Sequence, residues 1–340
     1  MPPPLEQKRV AELPPLPKVR LSLAHRIGCF IQLWFFKGLL NAVFFIIKLV
    51  WPSSPSTRPT FVRRYPCRPN LECRFFFPPN YAAGKALPLY FNIHGGGFAF
   101  GDASMDDFFC APWAARTGML VANLNYRKAP LYPFPHPTHD VASVVRAVLD
   151  DDSLPIDKDR VTIAGFSAGA NLALSAAQLP GLKEVVKAAV IYYPIVDFGH
   201  NPTYKLDTRP YHGTPKESLE IVSWCLDWGY VSVGQDRRDP ILSPTYAKNE
   251  DLPPRIYMIG AEWDLLRLET QQMIHRLAGL ADKPDQEESF EEGNYKWTLA
   301  KGCSHAFTHS SLRKSHSTAQ AKSEEIYREA HEWLRKGGLL

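Results

Sequence analysis

Five residues, Gly165-Phe166-Ser167-Ala168-Gly169, join a short apolar run at 160–164 to an alanine-rich, helix-spaced run at 168–179. A strand that becomes a helix within so few residues has to leave ordinary backbone space. Glycines on both sides of Ser167 allow that strained turn without a Cβ clash. The turn raises the serine hydroxyl above the strand's end, and the helix N-terminus places a partial positive charge beside it. Short apolar, partly β-branched runs also occur at 87–93, 119–125, 161–164, 188–193 and 255–259, and 295–300 reads as a last strand. Helical spacing predicts helices over 138–150, 168–179, 266–280 and 317–336. Strands alternating with helices imply an α/β class with a mostly parallel central sheet flanked by helices. Residues 198–250 interrupt the alternation with Trp, Tyr and Pro and read as a cap inserted between two strands. Residues 52–60 (PSSPSTRPT) read as a linker.

Composition excludes several classes. Of 340 residues, 45% are apolar and 22% charged, which rules out a disordered, collagen-like or mainly transmembrane chain. The net charge of +4 is spread along the chain without a basic run, so no nucleic-acid partner is expected. Six cysteines, at 29, 67, 73, 110, 225 and 303, form no Cys-x-x-Cys pair and no zinc-type cluster. Reduced thiols in the cytoplasm fit that pattern best, with a Cys67–Cys73 hairpin bridge as the alternative. No metal or organic cofactor is implied.

Residues 21–51 pose a membrane question. Arg26, Lys37 and Lys48 are spaced by eleven residues, and eleven helical steps drift only about 20°. With Ser22 and Asn41 they form one polar stripe on an otherwise apolar helix. The uncharged runs 27–36 and 38–47 are each about half the roughly 20 residues a spanning helix needs. The segment is expected to dock on the protein over an active-site mouth or to lie in a membrane interface, with a spanning helix as the remaining alternative. Residues 1–55 then form part of the cap, and 56–340 form the catalytic domain. Residues 1–20 are polar and Pro-rich without a cleavage site, so a secretory signal is not expected. The expected location is the cytoplasm, with attachment to a membrane or lipid surface as the alternative.

Three further signals join the elbow serine. His94-Gly95-Gly96-Gly97-Phe98 follows the strand at 87–93, and three glycines free the backbone to turn its N–H groups inward, as an oxyanion hole requires. The strand at 255–259 runs into Ala261-Glu262-Trp263-Asp264. An acid just past a strand's C-terminal end lies on the same edge as the elbow, and Asp264 is chosen over Glu262. The last strand runs into Gly302-Cys303-Ser304-His305. His305 is the candidate base, while His309 and His316 are expected at the surface. The order Ser, Asp, His along the chain is one in which a serine nucleophile, its base and the base's orienting acid occur.

These pieces, HGGGF at 94–98, YRKAPLYPFPHPTHD at 126–140, GFSAG at 165–169, DPILSP at 239–244, GAEWDLLR at 260–267 and GCSHAF at 302–307, together resemble the hormone-sensitive-lipase-like α/β-hydrolases. That group holds microbial esterases and arylacetamide deacetylase. The resemblance implies an α/β-hydrolase fold with a helical cap and a Ser167–His305–Asp264 triad. It also implies oxyanion amides from Gly96, Gly97 and Ala168, with His94 and Asp140 supporting the site from behind. Two positions depart from the family's pattern. Phe166 stands where an acid is common, which is expected to shift substrate preference or pH dependence. Ala306-Phe307 follows the base where Gly-Phe is usual.

The expected activity is hydrolysis of a small hydrophobic ester through an acyl-enzyme. The alternatives are an acyltransferase, lactonase or dehydratase of the same fold in small-molecule biosynthesis, and a non-catalytic ligand receptor. Tyr204, Tyr211, Trp224 and Trp228 in the cap segment suggest an apolar or aromatic substrate portion, with core packing as the alternative. Nothing in the sequence speaks to oligomeric state.

Overall fold

The computed structural model describes residues 21–50, 54–209, 218–280, 289–310 and 318–340. The expected features at Tyr211, His316 and residues 1–20 and 51–53 lie outside this set. A long helix, α1 (Leu23–Val50), precedes strands β1 (Phe61–Arg63), β2 (Cys73–Phe76) and β3 (Leu87–Ile93). Then come α2 (Asp107–Thr117), β4 (Leu120–Leu124), α3 (His136–Leu149), β5 (Ile156–Phe166), α4 (Ala168–Ala177) and β6 (Val186–Tyr192). Two helices, α5 (Pro202–Thr208) and α6 (Ser218–Tyr230), separate β6 from β7 (Arg255–Ala261). The chain continues through α7 (Arg267–Leu277), β8 (Ser289–Glu292), β9 (Tyr295–Ala300), α8 (Phe307–Ser310) and α9 (Thr318–Lys336).

The described strands form one sheet in the order β1-β2-β4-β3-β5-β6-β7-β9-β8. From β4 to β9 every pairing is parallel; β1, β2 and β8 are antiparallel additions at the edges. Every residue of β3 is buried, as expected of a central parallel strand covered on both faces. Alternate side chains supply two cores. Leu89, Phe91 and Ile93 join α3, α4 and α7 on one face. Tyr90 joins Phe109 and Trp113 of α2 and Trp333 of α9 on the other.

Register decides where the site falls. Ile93 lies opposite Gly165, Phe166 opposite Tyr192, and Tyr192 opposite Ile259. Beyond them Ala261 pairs with Ala300. The loops that start at His94, Ser167, Tyr193, Glu262 and Lys301 therefore leave one edge of the sheet together.

The expected strands and helices are present with small boundary shifts. The largest concerns β5, which begins at Ile156 and not at 161. Its polar start pairs with Leu87 and Pro88, where strand hydrogen bonds compensate for missing apolar pattern. The edge strands β1, β2 and β8 and the helix α2 were not expected; α2 carries an internal proline, Pro112, which masks helical spacing. All six cysteines are free, Cys67 exposed and Cys73 buried, so no hairpin bridge forms.

Candidate active site

Ser167 caps the N-terminus of α4 with φ 53° and ψ −117°, the strained conformation the sequence calls for. Its neighbours show why only glycine fits. A Cβ on Gly165 would lie 2.5 Å from the Gly169 backbone, and one on Gly169 would lie 2.1 Å from the Ile93 carbonyl oxygen. α4 thus crosses the end of β3 at backbone contact. The Ser167 N–H donates to the Tyr192 carbonyl at 2.9 Å, which ties the turn to β6.

Asp264 is fully buried in the loop after β7. Its Oδ1 accepts the Leu266 N–H at 2.8 Å, and its Oδ2 accepts His305 Nδ1–H at 2.8 Å. That bond leaves His305 Nε2 as the acceptor for the Ser167 hydroxyl, 2.9 Å away. The structure thus brings together Ser167, His305 and Asp264. Glu262, the other acid on this edge, takes a different part: its Oε2 accepts the Gly302 N–H at 2.7 Å and anchors the loop that carries His305. The three can pass a proton from the serine hydroxyl to a histidine held in one tautomer by a carboxylate.

The loop after β3 adopts left-handed conformations at Gly96 (φ 105°) and Gly97 (φ 57°). A Cβ on Gly96 would meet the Phe100 carbonyl at 2.4 Å, and one on Gly97 would meet Leu226 at 2.6 Å. Behind this loop, buried His94 donates from Nδ1 to the Gly95 carbonyl at 2.7 Å and stacks on Tyr126. Burial, with Lys128 nearby, pushes the His94 pKa down to about 3. The Tyr126 hydroxyl donates to the carbonyls of His94 and Gly95. Asp140, also fully buried, accepts from Arg127 at 2.8 Å and from Arg68 at 2.5 Å. Burial pushes its carboxyl up, but these bonds more than offset that and hold it below its usual value. His94 and Asp140 therefore stand behind the glycine loop, away from the open space.

That open space is a cavity of about 60 Å³ reached by Ser167, Gly97 and Ala168. Phe98, Ile195, Phe198, Leu226, Leu265 and Leu266 form apolar walls, and His200, Lys205 and Asp227 add polar groups. Gly96 is in the same loop but does not line it. Two expectations are corrected here. Tyr204, Trp224 and Trp228 do not line the cavity: Trp224 packs against His25 and Trp228 against Phe30, so two of these rings serve the joint between α6 and α1. Phe166 is also absent from the cavity. It is fully buried, stacked on Tyr192 at 4.6 Å and edge-on to His309, so it cannot touch a substrate.

A model of the alpha/beta hydrolase fold family matches residues 90–298. The chain belongs to this family. Among curated relatives, the versiconal hemiacetal acetate esterase of Dothistroma septosporum is 31% identical over 215 residues, 58% of this chain and 64% of that protein. The ethyl acetate hydrolase of Pseudomonas putida is 30% identical over 206 residues, 58% of this chain and 62% of that protein. The alignments thus span less than two thirds of these relatives' length. A solved hyperthermophilic esterase from Pyrobaculum calidifontis matches with a TM-score of 0.70 at 21% identity, over 94% of this chain and 99% of that one. That likeness is one of fold.

In this α/β-hydrolase the sequence reading missed one supporting group. His309, expected at the surface, is partly buried, with its side chain 21% exposed. Its Nε2 lies 3.0 Å from Oδ1 of buried Asp106, and its Nδ1 lies 3.2 Å from the Tyr193 hydroxyl. Tyr193 also bonds Thr308 and sits edge-on to His305 at 5.0 Å. These contacts pin α8, just past His305, to α2 and to the end of β6. The partners are far apart in the chain, so no local pattern signals them.

Proposed function

We propose that this protein is a serine carboxylic-ester hydrolase that removes a short acyl group from a hydrophobic ester. The observation that carries the reading is the line from Ser167 Oγ through His305 to Asp264, with spacings of 2.9 and 2.8 Å, opening on an apolar cavity. His305 takes the serine proton as Oγ attacks the ester carbonyl. The resulting oxyanion is met by amides of the 96–97 loop and of Ala168; one such donor is worth about 3 kcal/mol. Collapse expels the alcohol, which takes the proton from His305. Water, deprotonated by the same imidazole, then releases the acid and restores Ser167.

The small cavity supports a short acyl chain, and its apolar walls support an alcohol of low polarity. Both relatives described above are named for acetate esters, which agrees with that choice. An intact His305 weighs against a receptor that only binds. The test is a p-nitrophenyl ester series from acetate to palmitate, with Ser167→Ala in parallel. Turnover should fall as the chain lengthens and drop by about 10⁴-fold or more in the variant. Undiminished turnover by Ser167→Ala would refute the assignment. Hydrolysis without transfer to an added alcohol separates this reading from an acyltransferase.

A further inference from the structure

Midway along α1, the polar side chains of Lys37 and Gln32 are turned toward the body of the protein. Lys37 is the one charged residue between Ile27 and Ile47, and its Nζ donates to the Ala129 carbonyl at 2.7 Å. Gln32 donates to the Ile221 carbonyl of α6 at 2.8 Å. Cys29 and Leu33, one turn apart, are buried on the same side, with Leu33 against Gly229. The opposite side carries Ile27, Ile31, Phe35, Leu39, Phe45 and Leu49, all exposed. Ile31 and Phe35 are 61% and 64% exposed. A helix held only by packing on its own protein shows the reverse polarity, with charges outward. An apolar face along a helix about 42 Å long is large enough to mark an interaction surface.

We propose that α1 lies flat in the interface of a phospholipid membrane, its outward side among the acyl chains and its inward side bearing the cap. Charge selects this partner. α1 contains no acidic residue that would repel a headgroup phosphate. Before Arg26 the sequence holds Lys8, Arg9, Lys18 and Arg20 against only Glu6 and Glu12, a balance that anionic headgroups complement. Lys37 also decides between lying and spanning, because its ammonium is fastened to the globular body midway along the helix. One consequence rests on the esterase reading above. α6 sets Leu226 over Gly97 on one side and meets α1 on the other, so an ester dissolved in the bilayer meets the cap first.

The experiment is vesicle sedimentation of the full chain carrying Ser167→Ala, so that turnover plays no part. Vesicles of phosphatidylcholine, with and without phosphatidylserine, should pellet the protein, more so when phosphatidylserine is present. Adding Ile31→Glu with Phe35→Glu should lower partitioning about tenfold or more. The same pair with Ser167 intact should leave hydrolysis of a soluble ester unchanged, which shows that the fold survives. Protein that stays in the supernatant with both vesicle types overturns the proposal, as does a double variant that binds as well as its parent. A solution dimer dissolved by the two substitutions also overturns it, by assigning the face to a second copy. Vesicle binding by a protein that hydrolyses no ester would uphold the membrane surface and remove the esterase reading alone.

Discussion

Glu262 and Asp264 stand two residues apart at the end of one strand, and their side chains hold different things. Asp264 bonds the imidazole, whereas Glu262 bonds a backbone N–H at Gly302. The proposed mechanism therefore gives them unequal weight. Asp264→Asn should lower kcat by about 10⁴-fold, because an amide can present its N–H to the ring and favour the wrong tautomer. Glu262→Gln keeps an acceptor for Gly302 and should cost less than about tenfold. Steady-state kinetics on a short-chain ester measure both, and equal losses would contradict the assignment. Strand context alone placed both acids on one edge of the sheet, and Asp264 is the one within hydrogen-bond distance of His305. The grip of Glu262 on Gly302 was not legible, because it joins residues 40 apart in the chain.

At the scale of an element, the loop after β3 depends on a histidine that must stay neutral. The folded pKa of His94, about 3, lies below the unfolded value of about 6.5. As pH falls from about 6.5, the unfolded chain takes up a proton that native His94 refuses. Stability is lost through that window, by up to about 1.4 kcal/mol per pH unit. Asp140, held low, adds its own loss only below about pH 4. His331 is also lowered by burial, so the comparison must be between variants. Urea midpoints between pH 6.5 and 4.5 should fall less steeply in His94→Gln than in the parent. Parallel slopes would place the charge penalty elsewhere. The glycines of this loop were readable because three in sequence after a strand have few other uses. The edge strands were not, since short strands with one paired side carry little pattern.

Across the whole molecule, α5 is joined to the sheet layer by a buried ion pair. Lys205 Nζ lies 2.5 Å from Glu269 Oε2 on α7 and donates to the Asp197 carbonyl at 2.6 Å. Glu269 Oε1 accepts the Val196 and Asp197 N–H groups. Burial, first among the influences on Glu269, raises its carboxyl pKa despite the lysine. Lys205→Met strands that carboxylate and should cost about 3 kcal/mol in unfolding experiments. Lys205→Met with Glu269→Gln should recover most of the loss, because neither partner is then a buried charge. A double variant as unstable as the single would show that the pair acts by shape alone.

The candidate nucleophile, its candidate base and the glycine loop could be picked out from the chain because each is specified by its immediate neighbours. A strand, a tight turn and a helix must follow in that order, and only glycine clears the crossing of α4 over β3. Periodicity likewise placed Arg26, Lys37 and Lys48 on one stripe of α1. Which way Lys37 faces was decided by tertiary structure alone. The acceptor for Lys37 is the Ala129 carbonyl, 92 residues away in the chain, and with Lys37 held there Ile31 and Phe35 are left facing outward. The Asp106–His309 pair, 203 residues apart, was hidden for the same reason. Local spacing sets which side chains share a face, but the partners that fix the direction of that face come together only when the sheet is assembled.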